Sequence, residues 1–571
     1  MKHHIFTLMI LAVVAAGSAK KFSDAPAGQG VSTVNSGGGA DYISLDEAAK
    51  DFSSLAGGCT GNWTLLIASD LFEPNNVAFG NLTNGNSVTV RPAPSSQPTI
   101  TFTTTTALAG TIWAGHLLIG TTSTLNLAGQ LLGTDNFTID GSNVPGGTTR
   151  DLKITDTSAL TVGSYLVRVV GACGNATIKN AVIEQQSSGT LESFCVEFTN
   201  RRDIGSVDRV PTTGTVTNCL LRSKTSANGQ AIVCRNSGTI AAGTVMTGMS
   251  FTSNTIETTF RGFFMNPAVG DVLNNTCSID ETFTFTSRPD LFEHSFNGSS
   301  GYTLNFKNNK MTKLRVSAGN TAGVLSAMFI GQGIAQPQVG TYNIENNFFG
   351  GFDLGDIPTT TAPSLVRAIT IQGAAAGTTV TCNTNILHNS INMPNFANLQ
   401  QAANVDRYCA LALNQGQYAG TTILKNNIIR MEQNNGVVYW KVGGAVGPFI
   451  SDYNVFYLGN AGAQFAGYNV ANGSHVANVA DFAAWQLASG QDANSRVVNP
   501  TVPVIAGAGA WASNSDLHFT SDPGSVYLGT PVGLTTDIDG QSRSVTQPVI
   551  GADELAISIV VTAADDWQLF N

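Results

Sequence analysis

The sequence predicts an all-β solenoid, and three observations carry that prediction. Two strand-like segments alternate nine times between Tyr165 and Leu458. Charged residues are 12% of the chain and hydrophobic ones 42%, about half the usual charge for a globular protein. Gly reaches 61 residues, and Val, Ile, Thr and Phe recur throughout, a composition suited to short strands joined by many turns. The first segment of each pair is an apolar run, as in Tyr165–Val170, Phe194–Phe198, Ala231–Arg235 and Leu291–Ser295. The second alternates about an Asn: 180, 218, 254, 275, 309, 347, 385, 427 and 454, at intervals of 21 to 42 residues. Such periods mean one supersecondary unit stacked many times. Because the units are strands, the stack grows along one axis and presents a ribbed surface.

The elements follow in order. Residues 1–19 read as a secretory signal: Lys2, His3 and His4 precede an apolar run, Ile5 to Ala16, and the small residues Gly17-Ser18-Ala19. That run is too short to span a bilayer. Residues 20–40, rich in Gly and Ser, read as a flexible lead-in. Ser44, followed three residues on by Glu47, has a capping-box pattern. The helix it opens is expected to reach about Ala56, stop at Gly57-Gly58 and close the bottom of the solenoid with Leu45, Ala48, Ala49 and Phe52. Strands are expected at Trp63–Ser69, Ser87–Arg91 and Thr99–Phe102, and the β-helix with its N-terminal cap covers 41–477. Within a coil, Asn tolerates left-handed backbone and suits a corner. Stacked Asn side chains can form a ladder there, so they read as structural rather than catalytic. Residues 478–571 form a C-terminal capping module. It holds a short helix around Phe482, Trp485 and Leu487 and a last strand, Ala556–Thr562, covering an edge that would otherwise invite aggregation.

The C-terminal segments carry a family resemblance. Ser451-Asp452-Tyr453-Asn454-Val455-Phe456-Tyr457, Phe482-Ala483-Ala484-Trp485-Gln486 and Gly490-Gln491-Asp492-Ala493-Asn494-Ser495 open the pattern. Asp516-Leu517-His518-Phe519, Asp522-Pro523-Gly524-Ser525, Thr536–Arg543 and Ile550-Gly551-Ala552-Asp553-Glu554 complete it. Together, over about residues 451–554, they resemble the ending of secreted bacterial right-handed parallel β-helix proteins of the pectate-lyase-like superfamily, choice-of-anchor Q type. Two positions depart from it: Phe519 stands where an aliphatic residue is usual, and Val549 where an acidic one is. The resemblance implies a right-handed parallel β-helix and export. It implies no one activity, because this fold hosts lyases, hydrolases and adhesins.

Composition narrows the function. A net charge of −10 with no long basic run argues against nucleic acid as a partner, and no segment reads as transmembrane. None of the eight Cys forms C-x-x-C, so zinc ribbons and redox motifs are not expected; small buried thiols in the coil interior are. The expected partner is a polysaccharide or cell-surface glycan, bound along the solenoid face without catalysis.

The alternative is a polysaccharide lyase or glycoside hydrolase. A lyase needs a base and neutralisation of a uronic carboxylate, with Ca²⁺ as its possible cofactor; a hydrolase needs two flanking carboxylates. The candidate catalytic set is Glu293 and His294, with Arg235 and Lys310 as charge partners, because Leu291–Ser295 is the one apolar run with an acid beside an imidazole. A solvated or locally paired side chain is the plainer reading of each. Asp537 and Asp539 resemble part of a calcium loop but lack its other ligands, so they read as a turn. No cofactor is expected for the non-catalytic protein.

Overall fold

The computed structural model describes residues 28–555 apart from 75, 104–112, 121–133, 158–162, 187–191, 201–209, 227, 237–244, 281–288, 297–300, 316–323, 333–339, 354–364, 373–381, 396–407, 415–419, 434–435, 443–447, 460–463, 471–473, 477–481, 499–516 and 520–521. The expected signal sequence and the last strand, Ala556–Thr562, lie outside the described residues.

Three long sheets run the length of the molecule. Sheet A has 13 strands, from Gly30–Val34 to Phe449–Asp452. Sheet B has 14, from Leu71–Glu73 to Arg496–Val497, and sheet C has 13, from Val77–Phe79 to Ser474–Val476. Each coil visits A, then B, then C: Ala176–Lys179, Ala181–Gln185 and Ser193–Thr199 are followed by Thr213–Thr217, back in sheet A. Every neighbouring pair is parallel except the closing hairpin Gln464–Val470 with Ser474–Val476. This is the parallel β-helix that the repeat predicts.

The repeat has three strands per coil where two were expected. The Asn-centred segment is two strands broken at a sharp corner, one in sheet A and one in sheet B. One residue at each corner takes left-handed backbone: Asn180, Asn218, Ser253, Asn274, Asn308, Asn346, His388, Asn426 and Tyr453 all have φ between 50° and 59°. Asn and its kin adopt this region at least cost.

The residue after the corner points inward. From Asn254 through Asn275, Asn309, Asn347, Asn389 and Asn427 to Asn454 it is Asn, and the side chains form a continuous buried ladder. From Asn275 on, each Oδ1 accepts the backbone N–H and the amide of the Asn one coil below, as Asn309 does from Asn275 at 3.0 and 2.9 Å; Asn254 accepts from Cys219 N–H at 3.0 Å. Each amide also donates to a backbone carbonyl; Asn309 donates to Val272 at 2.8 Å. Asn180 and Asn218 are corner residues, one position earlier, and Asn389 rather than Asn385 is the ladder member of its coil.

The ends are closed differently. Helix α1 (Leu45–Ser54) is capped by Ser44 Oγ, which accepts from Glu47 N–H at 3.1 Å. The buried Glu73 carboxylate accepts from Leu45 N–H at 2.6 Å, where a helix N-terminus favours negative charge. Chain direction turns at Leu55, slightly before the expected stop, and Gly57 and Gly58 both have positive φ. The second half of the expected lead-in is an ordinary strand, since Gly30–Val34 pairs in register with Trp63–Ile67.

At the other end, helix α2 (Phe482–Ser489) places Trp485, 1% exposed, over Tyr439. Its indole donates to Asp492 at 2.8 Å. The hydroxyl of Ser495 accepts from Asn454 N–H at 2.8 Å, ending the ladder as one more Asn would.

Residues 517–555 do not cap this end. They lie along the side of the solenoid as a clamp, over the A–B corner and sheet B. Arg543, buried, donates to the carbonyls of Val549, Gly551 and Ala552, to Glu554 and to the corner residue Asn346. Phe348, Ile428 and Val455 of sheet B form one apolar cluster with Leu517, Phe519, Tyr527, Ile538 and Val549 of the clamp. The expected single capping module is thus an end plug and a lateral clamp.

Candidate functional site: the outer face of sheet A

The strand register of sheet A lines up one outward residue per coil. It runs Thr64, Thr89, Thr138, Thr177, Thr215, Ser250, Asp271, Asn305, Asn343 and Asn385, in strict register. Val31 stands below, and Ile423 and Ile450 above. Thirteen positions at about 4.8 Å per coil make a stripe of about 58 Å. Each residue from Thr64 to Asn385 is half-buried: its stem rests on the sheet and its polar tip faces out.

The amides are tied to one another. Asn305 donates to Asp271, Asn343 to Asn305 and Asn385 to Asn343, at 2.8 to 2.9 Å. Each bond fixes an amide rotamer, so a ligand would meet preset donors and acceptors. The parallel stripe two residues on is mixed in charge, with Lys179–Asp140 at 3.1 Å and Lys307–Glu345 at 2.6 Å. Neither stripe carries an aromatic side chain, so this face offers hydrogen bonds and not ring stacking. At the A–B corner, residues 142–150 cover Asn180 and Asn218 from one end, and the clamp covers Asn346 and Asn426 from the other. Ser253 and Asn274 are exposed between them.

The expected catalytic residues are not gathered. Sheet C strands read outward, inward, inward, outward, inward: Leu166 and Val167 join the main core, whereas Tyr165 belongs to a separate outer cluster. By the same pattern Glu293 faces out and His294 faces in. Glu293 meets Arg261 at 2.6 Å. His294 is fully buried, stacked on Phe292 and bonded through Nε2 to the carbonyl of Ala268 at 2.9 Å. Burial pushes its pKa down to about 4, which the Ala268 contact only partly offsets. His294 is therefore neutral at the pH where a proton shuttle was expected of it.

Arg235 lies two strands below Glu293 in sheet C and is bound to Glu197 at 2.5 Å and Glu192 at 2.7 Å. Burial alone would raise the Glu197 carboxyl, but Arg168 and Arg235 outweigh it and hold it below its usual range. Lys310 is on sheet B, 3.2 Å from Asp539 of the clamp. Glu293, His294, Arg235 and Lys310 thus have separate partners in separate places.

Asp537 accepts the backbone N–H groups of Asp539, Gln541 and Glu554, so it shapes the clamp turn. Among the described residues no three His, Cys, Asp or Glu side chains are grouped for a metal ion, and all eight Cys are buried and unbridged. No helix among them is long and apolar enough to cross a membrane.

The sheet A stripe escaped sequence reading. Its signal is a fixed offset: from Thr177 on, each member stands three residues before a corner residue, as Thr177 before Asn180 and Asn343 before Asn346.

No known family model matches the chain, and no curated protein matches it in sequence. Among solved structures, the surface adhesin PfbA of Streptococcus pneumoniae overlaps 76% of this chain and 91% of its own, at 10% identity and a TM-score of 0.35. Tailspike protein 3 of bacteriophage CBA120 overlaps 81% of this chain and 59% of its own, at 11% identity and a TM-score of 0.34. Overlaps this loose carry no inference about this chain.

Proposed function

We propose that this is an exported, surface-acting β-helix protein that binds polysaccharide along the outer face of sheet A without catalysing its breakdown. The observation that carries the reading is the in-register stripe of hydroxyls and amides from Thr64 to Asn385, in which Asp271 is the one carboxylate. A linear glycan repeats hydroxyl groups along its length, and a solenoid repeats their partners. Each such hydrogen bond is worth only about 0.5–1.5 kcal/mol net, so affinity rests on many contacts made together. Export follows from the signal-like residues 1–19 and from the resemblance of residues 451–554 to secreted choice-of-anchor Q type proteins.

The test is affinity electrophoresis through gels containing neutral and acidic polysaccharides. The wild type should be retarded by at least one. The triple variant Thr138→Val, Thr177→Val, Thr215→Val keeps strand-forming side chains and removes three hydroxyls. It should bind at least tenfold more weakly while melting within a few degrees of the wild type. Equal retardation of the variant would remove sheet A as the site. Release of unsaturated or reducing ends from any polysaccharide would replace this reading with the enzymatic one.

A further inference from the structure

The clamp is held at one point by a histidine whose two ring nitrogens are both committed. His388 stands at the A–B corner with φ of 54°, where the neighbouring coils have Asn346 and Asn426, and it is fully buried. Nδ1 lies 3.2 Å from the carbonyl of Gly551 in the clamp, and Nε2 lies 2.9 Å from Nδ2 of Asn426. A carbonyl can only accept, so Nδ1 carries the proton. The orientation of Asn426 is also fixed: its amide donates to Thr530 O at 2.6 Å and its Oδ1 accepts from Thr530 N–H at 3.1 Å. An NH₂ group therefore faces Nε2, which must accept.

A second proton on the ring would put a donor against a donor. Turning the Asn426 amide to relieve this would break both contacts to Thr530. Charges around the ring add to the conflict. From the clamp, Arg543 faces it and disfavours a cation, and Arg543 is in turn near Glu554, Asp537 and Asp553. From the solenoid, Glu345 and Lys425 flank Leu387, the residue before the corner, and Glu345 is paired with Lys307. Burial first, then Arg543, holds the ring well below its ordinary pKa.

We propose that His388 is an acid-released latch: neutral, it fastens the C-terminal clamp to the solenoid, and protonated, it lets the clamp lift and uncover Phe348, Ile428 and Val455. The sign follows from linkage. The lifted state binds the proton at an ordinary histidine pKa of about 6.5 and the docked state does not, so docking is intact above that pH and weakens as pH falls. The opening equilibrium should rise about tenfold for each pH unit below about 6.5. Carboxylates ordinarily titrate nearer 4; burial raises Asp553 of the clamp, and a carboxyl raised in the docked state favours docking as pH falls. Between about pH 6.5 and 5, comparison with a variant lacking the ring separates His388 from other groups that titrate there.

The test is hydrogen exchange on the full chain at pH 7 and pH 5, corrected for intrinsic exchange rates. Peptides covering 528–555, whose Thr530, Gly551 and Ala552 N–H groups bond to Asn426 and Ser390 of the solenoid, should lose protection at pH 5 by more than tenfold. Sheet A strands near Thr177 should not. His388→Asn places the neighbouring corner residue there, and its protection of 528–555 should be the same at both pH values. Unchanged protection in the wild type between pH 7 and 5 would overturn the latch without recourse to any variant. A His388→Asn protein that still opens at pH 5 would assign the acid response to another group and overturn it equally.

Discussion

At the residue scale, the decisive fact is that the buried ladder asparagines hold partners that a hydrophobic replacement would strand. Asn309 illustrates it. Replacing it with Ala leaves two donors of Asn275, the backbone N–H and the side-chain amide, without their acceptor. An unmet buried donor costs about 1–3 kcal/mol, so Asn309→Ala should lower unfolding free energy by roughly 2–4 kcal/mol in urea denaturation. A loss under about 0.5 kcal/mol would mean the ladder is ornamental. His294 gives a second prediction, with the opposite dependence on solvent. Its folded pKa of about 4 lies below the ordinary 6.5. Its contribution is therefore complete above pH 6.5 and is lost as pH falls toward 4, by on the order of 3 kcal/mol. His294→Leu should flatten that part of the pH–stability curve. An unaltered slope would show that His294 is not kept neutral.

At the element scale, the strand unit was legible and its subdivision was not. Alternation and Asn spacing mark a repeat, but a corner made by a single left-handed residue leaves no gap in the hydrophobic pattern. Thr177-Ile178-Lys179-Asn180-Ala181-Val182-Ile183 therefore reads as one strand. His388 fills a corner without being Asn, so its coil was aligned on Asn385, three residues early. Alternation puts Glu293 and His294 on opposite faces, but it does not say which of the two is inward; the structure buries His294 against the carbonyl of Ala268 and pairs Glu293 with Arg261. The helix at Ser44 was legible because its capping is local. The clamp was not, because its partners lie up to 229 residues away, as Lys310 and Asp539 do. The end plug is an element that can be tested alone. Asp492 accepts from Trp485, Ser451 and Ser495 at 2.7 to 2.8 Å. Asp492→Ala should strip amide protection from the last coil, residues 449–458, by about 2–4 kcal/mol, and leave the first coils unchanged. Uniform loss along the solenoid would mean that the plug is not a local element.

At the scale of the whole molecule, a solenoid is nearly one-dimensional: each coil is stabilised by its neighbours, and an end coil lacks one of them. The plug and the clamp meet different needs, and truncation can separate them. Removing residues 478–571 takes away both. It exposes the last strands of sheets A and B, Phe449–Asp452 and Val455–Leu458, and the backbone N–H of Asn454, and an open parallel edge is a template for another chain. That truncation should aggregate. Removing only residues 499–571 keeps Trp485, Asp492 and Ser495 in place and strips the clamp from Phe348, Ile428 and Val455. The resulting protein should stay monomeric because the plug still bonds to Phe449–Asp452 and Val455–Leu458. It should bind a hydrophobic dye that the full chain does not, because an apolar patch on sheet B is then bare. Light scattering and dye fluorescence on the two truncations decide the matter. If the shorter deletion aggregates as the longer one does, the clamp and not the plug protects the edge. If neither aggregates, the final coil is stable without a cover, and the division of the C-terminal region into two devices is wrong.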